Sequence, residues 1–280
     1  MLPEKKEDDA PFIPERDISE KDWQEMKKFA DRKIEDFLED KDFPFEENLF
    51  GEITKTLASM AIISSEKVAE LNIKKLPSES IEGVFKSIRG HDWGPGTTLL
   101  WLGRMKVGHI ERVNEFSFTR EEWEKEIRRL KYKMKKKDWV SALLDVFEIK
   151  LYRPKDAELK ECLKTGADAL IAGIVEHVQG WREMTGWMGV ARLTRMLKIL
   201  FPDRVKDFKP DKIAWQGMRK TLESLRHQSE WAEFAELAAA MTILAAEKVE
   251  VTEKGLEITM PKPKEDFREA REPRPVRRSF

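Results

Sequence analysis

The chain of 280 residues carries 52 Lys and Arg against 53 Asp and Glu, so its formal net charge is −1. This balance excludes the strong overall field with which a basic protein attracts nucleic acid or an anionic membrane. No run of about 18 apolar residues occurs, so we expect no membrane-spanning helix.

The remaining composition points to a stable protein of a reducing compartment. Charged residues make up 38% of the chain, well above the ~25% of an average globular protein. Many Glu, Lys and Arg with few Asn and Gln are typical of thermophile proteins. The single cysteine, Cys162, cannot form an intramolecular disulfide. We therefore expect an intracellular, cytoplasmic protein.

The chain begins with a charged, proline-containing segment, residues 1–16, which predicts a flexible N-terminal arm. Trp23 then starts an apolar stripe at helical spacing, and Phe50 starts a second one. Residues 17–111 are therefore predicted to form a first helical unit that opens with a pair of helices.

Two later segments repeat this opening. A shift of 92 residues pairs six identical residues: Arg112/Arg204, Val113/Val205, Phe116/Phe208, Trp123/Trp215, Leu130/Leu222 and Trp139/Trp231. Just upstream, Leu-Gly-Arg-Met at 102–105 matches Leu-Thr-Arg-Met at 193–196, one residue out of step. Residues 57–68 also match 237–249 when Ala58 is set on Ala239. The sequence therefore predicts a mainly α protein of tandem degenerate helical repeats, each about 90–100 residues long.

The repeat divides the rest of the chain into two further units. Residues 112–203 form the second unit and residues 204–261 a truncated third. In both, two Trp stand sixteen residues apart, which would place them on nearly opposite faces of one continuous helix. We therefore expect each Trp to start a helix of its own. The predicted structural anchors are Trp23, Trp123, Trp139, Trp215 and Trp231.

Strand patterns are few. Residues 249–260 alternate around Lys254 and Gly255, which predicts a β-hairpin. Residues 70–76 and 146–152 are each compatible with a single strand. Residues 262–280 are rich in Arg and Pro and lack a periodic apolar face, so they predict an extended C-terminal tail.

No motif identifies a catalytic centre. The four histidines, His91, His109, His177 and His227, lack the spacing of a zinc motif, and no Gly-rich phosphate loop or nucleophile elbow occurs. The sequence therefore assigns no catalytic residue, no metal and no cofactor. An enzyme with a Trp-lined pocket near His91 and His177 remains one alternative.

The densest charge cluster lies between positions 128 and 137. Seven of its ten residues are basic: Arg128, Arg129, Lys131, Lys133, Lys135, Lys136 and Lys137. One interpretation is a solvated helix whose charges are balanced by the preceding glutamates. The other is a phosphate-binding or acidic-partner surface. The corresponding helix of the third unit does not keep the cluster.

The tail carries the second candidate site. Arg268, Arg271, Arg274 and Arg277 recur every third residue, so a polyproline II conformation would align them on one face. Glu residues lie between these arginines and Phe280 ends the chain, a mixture that suits an acidic protein groove. The alternative is a solubilising tail.

These patterns favour a non-enzymatic interaction or assembly subunit. Helical repeats present broad binding surfaces, so we expect a protein partner or self-association through the helical surface and the terminal arms. The first alternative is a nucleic-acid-associated protein that uses residues 128–137 and the Arg-rich tail. The second is the enzyme described above.

Overall fold

A computed structural model describes residues 12–39, 47–71, 76–90, 94–108, 110, 113, 118–183, 186–204 and 210–261. These residues form twelve helices and one antiparallel hairpin, which confirms the predicted mainly α class with minor β content. The helices are α1 Pro14–Asp17, α2 Glu20–Glu39, α3 Glu47–Ile63, α4 Ser65–Val68, α5 Ser78–Gly90, α6 Gly94–Val107, α7 Arg120–Lys136, α8 Trp139–Tyr152, α9 Ala157–Glu183, α10 Trp187–Leu200, α11 Lys212–Gln228 and α12 Trp231–Ala245. The strands are β1 Lys248–Thr252 and β2 Gly255–Thr259.

The helix pairs α7–α8 and α11–α12 have the same local design. Both first helices contain 17 residues and begin at a side-chain N-cap. Both end at a left-handed residue, Lys137 with φ 61° and Ser229 with φ 59°. One further residue leads to the second helix, which starts at Trp139 or Trp231. The two turns lie at the repeat offset, so the structure is compatible with the predicted duplication.

Helix α12 lies at the centre of the molecule. Every residue from Phe234 to Leu244 is buried. Its alanines let neighbouring backbones approach closely, and α2, α3, α10 and α11 all pack around it. A helix that is apolar on all sides must be covered on all sides. Helices α3 and α12 therefore bring the predicted first and third units into direct contact, which differs from an open row of repeats.

Charged side chains reinforce this contact between the first and third units. The guanidinium of Arg226 on α11 donates two hydrogen bonds to the carboxylate of Asp22 on α2, at 2.8 and 2.9 Å. Asp22 is buried, and its backbone N–H donates a hydrogen bond to the hydroxyl oxygen of Ser19 at the start of α2. One hydrophobic cluster then runs through the described chain from Phe12 to Val249.

The five Trp anchors fall into two groups. Trp23, Trp123 and Trp215, on the first helix of each pair, are buried. Trp139 and Trp231, which open the second helices, are half-buried and pack against the core. Trp139 lies against α9 at Gly173, where a Cβ would come within 2.0 Å of the indole. A glycine is required there because any other side chain would displace the ring.

The strand predictions had mixed outcomes. The hairpin is confirmed, with Val249 opposite Ile258 and a turn at residues 253–254. The strand over 146–152 is wrong, since these residues are the second half of α8. Their β-branched and aromatic side chains suit a strand, but burial of Val146 and Ile149 on a helical spacing overrides that preference. Residues 72–75 of the other candidate strand lie outside the described residues.

Candidate functional site

Two of the seven basic residues of the 128–137 cluster point into the protein. Arg129 Nη2 lies 2.9 Å from Asp145 Oδ1, and Lys133 Nζ lies 2.8 Å from Asp145 Oδ2. Arg129 Nη2 also lies 2.6 Å from a carboxylate oxygen of Glu126. Both acids are buried, and burial raises the pKa of Glu126. Arg129 and Lys133 therefore neutralise the buried carboxylate of Asp145 between α7 and α8, whereas the oxygens of Glu126 accept no hydrogen bond among the described residues.

The other five basic residues face solvent. Arg128, Lys131, Lys135, Lys136 and Lys137 are exposed, and Lys136 Nζ lies 5.8 Å from the ring centroid of Tyr132. Tyr132 is itself 62% exposed, unusual for an aromatic residue in this protein. Arg128, Lys131, Lys135 and Lys136 lie along one side of the helix. We call these four residues the basic face of α7.

A groove lies beside this face, between α7, the start of α8 and α9. It encloses about 620 Å³ and is lined by Lys131, Met134, Trp139, Glu158, Glu161, Cys162, Thr165, Gly166 and Ala169. We call it the α7–α9 groove. Met134, Trp139 and Cys162 are half-buried and form an apolar floor. Gly166 leaves room for the Met134 methyl, since a Cβ there would come within 2.1 Å of it.

The rim of the groove carries both signs of charge. Lys131 extends from α7, and Glu158 and Glu161 extend from α9. Burial raises the pKa of the Cys162 thiol, so at neutral pH the sulfur is protonated. A protonated thiol is a weak nucleophile. The Cys162 thiol is therefore not an activated nucleophile.

Several predicted site residues lie outside the described residues. These are His91 and the tail residues Arg268, Arg271, Arg274, Arg277 and Phe280. His177 is half-buried on α9, but its distance to His91 is not defined. The Trp-lined pocket and the tail site therefore stay predictions.

A second cavity escaped the sequence reasoning. It encloses about 290 Å³ between α3, α6, α8, α10 and α12. Arg104 and Arg195, which line it, occupy the same position of the matched Leu-x-Arg-Met segments. The available signal was an arginine at the same position of both Leu-x-Arg-Met segments, flanked by apolar Leu and Met, since arginine seldom enters a core without a partner.

No protein-family model, no curated protein and no solved structure matches the chain. Within the described ranges, no helix is both long enough and apolar enough to cross a lipid bilayer.

Proposed function

We propose that this protein is a non-enzymatic interaction subunit that binds a segment of a protein partner in the α7–α9 groove. The observation that carries the proposal is the apolar floor of Met134, Trp139 and Cys162 beneath a charged rim. Protein interfaces have this layout, with apolar and aromatic residues at the centre and polar residues at the edge. An amphipathic helix or extended segment would place its apolar side chains on the floor.

The rim defines the charge pattern of the segment. A carboxylate on the partner would pair with Lys131, and a cation would pair with Glu158 or Glu161 on the opposite wall. A phosphate backbone carries only negative charge, so the two glutamates would repel it. The groove therefore favours a protein partner over nucleic acid.

The test compares matched positions of the repeat. Lys131 in the second unit corresponds to Glu223 in the third, and both are exposed. The full chain, its Lys131→Glu variant and its Glu223→Lys variant would each be used as bait in extract of the source cell, in parallel with and without nuclease treatment. We expect proteins retained by the wild type and by Glu223→Lys to fall about tenfold with Lys131→Glu, a change worth ~1.4 kcal/mol. Thr165→Trp, which fills the groove from an exposed position, should have the same effect.

Two results would overturn this assignment. Equal capture by all baits would exclude the groove. Retained material that disappears only on nuclease treatment would favour the nucleic-acid alternative. In that case the basic face of α7 becomes the candidate interface, because Arg128 and Lys135 lie outside the groove and have no ion pair among the described residues. A gel shift with Arg128→Glu at several salt concentrations would test it directly.

A further inference from the structure

The cavity between α3, α6, α8, α10 and α12 contains an unusual set of charges for the interior of a protein. Six of its lining residues are ionisable: Lys55, Arg104, Glu148, Arg192, Arg195 and Glu236. The rest of the lining is largely apolar and includes Phe147, Met196 and Ile243. Such buried charges are retained when they compensate one another or bind a charged ligand.

One ion pair in the cavity is complete. Arg192 donates from Nε and Nη2 to the two carboxylate oxygens of Glu236, at 2.7 and 2.6 Å. Burial acts to raise the pKa of Glu236, but the hydrogen bonds from Arg192 and the nearby positive charges outweigh it and hold this pKa at about 2. Glu236 is therefore ionised and engaged by Arg192. Arg192 is 42% exposed and marks the side on which the cavity meets solvent.

Arg195 is poorly satisfied by comparison. Its Nη2 lies 3.3 Å from Glu236 Oε1, and its Nη1 lies 3.5 Å from the Glu236 carbonyl oxygen, both at the long limit for a hydrogen bond. Its buried Nε has no acceptor among the described residues. A buried donor without an acceptor costs about 1–3 kcal/mol, and more when it is charged.

Arg104 has still fewer partners. Within the described chain it donates one hydrogen bond, from Nη1 to the carbonyl oxygen of Gly51 at 3.3 Å. The pKa of Arg104 is lowered to about 10, chiefly by burial and also by the positive charges of Arg195 and Arg192, while Glu236 and Glu148 act to raise it. The guanidinium is nevertheless protonated at neutral pH, with donors to spare.

Glu148 does not supply the missing negative charge. Burial raises its pKa to about 8, so it is mainly protonated at neutral pH. Four cations line the cavity with one ionised carboxylate, Glu236, and Lys55 Nζ also lies 3.0 Å from Glu233 Oε1 beside the cavity, so an excess of two positive charges remains. In a cluster that serves stability alone, we would expect the positive and negative charges to balance, since a buried cation without a partner destabilises the fold.

We propose that this cavity binds a small organic oxyanion, a carboxylate or a phosphate monoester with an apolar part, between Arg104 and Arg195. Guanidinium groups bind such oxyanions through paired hydrogen bonds. A volume of about 290 Å³ is near the lower end of small-molecule pockets. The apolar part of the ligand would lie against Phe147, Met196 and Ile243.

The charged residues of this site include two pairs at corresponding positions of the predicted repeat. Arg104 belongs to the first unit and Arg195 to the second, each from its own Leu-x-Arg-Met segment. Lys55 and Glu236 belong to α3 and α12, and they correspond when Ala58 is set on Ala239. An anion between the two arginines would hold α6 and α10 together where the units meet.

The first experiment measures binding to the full chain. Phenyl phosphate, benzoate, inorganic phosphate and neutral benzyl alcohol would be titrated by calorimetry and by thermal unfolding, with sodium chloride at matched ionic strength as reference. We expect one site per chain for phenyl phosphate or benzoate, and a saturable rise in unfolding temperature. Benzyl alcohol and chloride should give neither. The preference between phenyl phosphate and benzoate distinguishes the phosphate from the carboxylate.

The second experiment assigns the site to the cavity. Arg195→Met and Arg104→Met keep an unbranched apolar stem and remove the guanidinium donors, so each should weaken binding at least tenfold. Arg128→Met on the exposed basic face should bind as the wild type does. If a Met variant fails to fold, Arg195→Lys tests the same site, because it keeps the charge but loses the paired hydrogen bonds and should also weaken binding.

Two outcomes would overturn the proposal. One is that no organic anion of the panel binds the wild type better than chloride does. The other is that the folded variants of both arginines retain wild-type affinity. Native mass spectrometry of the protein as purified gives an independent check, since a bound anion from the cell would add a defined mass that Arg195→Met lacks.

Discussion

Replacement of Glu148 by Gln should change how the stability of the protein depends on pH. Glu148 lies on α8, is 8% exposed, and lines the arginine-containing cavity. Burial raises the pKa of its carboxyl to about 8, and the negative charge of Asp145 adds to this effect. The positive charges of Arg129, Arg104 and Lys133 act in the opposite direction but do not cancel it.

The direction of this pH dependence follows from the protonation of Glu148 in the folded and unfolded states. The unfolded chain ionises Glu148 near pH 4.5, whereas the folded protein keeps it protonated until about pH 8. Between these values unfolding releases a proton, so the free energy of unfolding falls as pH rises. The full loss is about 5 kcal/mol, from a pKa difference of about 3.5 at 1.36 kcal/mol per unit. Glutamine resembles the protonated carboxyl and cannot ionise, so Glu148→Gln removes this loss.

Urea denaturation between pH 5 and 9 at constant ionic strength would measure the effect. The stability advantage of Glu148→Gln should be under ~1 kcal/mol at pH 5 and should grow to roughly 3–5 kcal/mol at pH 9. Glu257→Gln, an exposed substitution on β2, is the matched control and should leave the profile unchanged. Parallel profiles for wild type and Glu148→Gln would refute the assignment of a buried, protonated carboxyl at this position.

Three further predictions concern packing, an ion pair and the tail. Trp215→Ala should cost roughly 3–5 kcal/mol because the indole is buried, whereas exposed Ile213→Ala should cost under ~0.5 kcal/mol in the same denaturation assay. Arg226→Ala should cost about 3 kcal/mol at pH 7, since it leaves the buried Asp22 carboxylate without its cation, and the loss should shrink in the Asp22→Asn background. Removal of residues 264–280 should leave thermal unfolding unchanged and weaken partner capture or self-association, measured by pull-down and native mass. Unchanged capture would make the tail a solubilising end.

The parts of the fold that were predictable are those with local causes. Trp23, Trp123 and Trp215 mark helices because each starts a stripe at helical spacing that is read from neighbouring residues. The alternation around Lys254 and Gly255 is likewise local, and it correctly gives the hairpin. In α8 the side chains of residues 146–152 favour a strand, but their burial in the tertiary structure requires a helix, and the helix forms.

The sites depend on contacts between distant residues, so the sequence indicated them less well. Arg129 and Lys133 look like members of a surface cluster until Asp145, on the next helix, is seen to accept both. The cavity unites residues from Lys55 to Glu236, and no single segment carries a recognisable motif for it. Arg104 and Arg195, like Lys55 and Glu236, correspond in the predicted repeat, but that correspondence points to a site only once α3, α6, α10 and α12 are seen to line one cavity.

That closure explains why a cavity forms where it does. Ile62, Leu151 and Ile243 occupy corresponding positions of α3, α8 and α12 when Phe50, Trp139 and Trp231 are aligned, and all three line the cavity. Under the predicted repeat these are corresponding helices that approach a shared centre with side chains of similar size, and such an arrangement leaves a gap when none of the side chains is large enough to fill it. An apolar gap would be removed by a larger residue at any one of these positions. Instead α6 and α10 each direct an arginine to it, which keeps the space open at an energetic cost. The anion that we propose to bind between Arg104 and Arg195 would offset this cost.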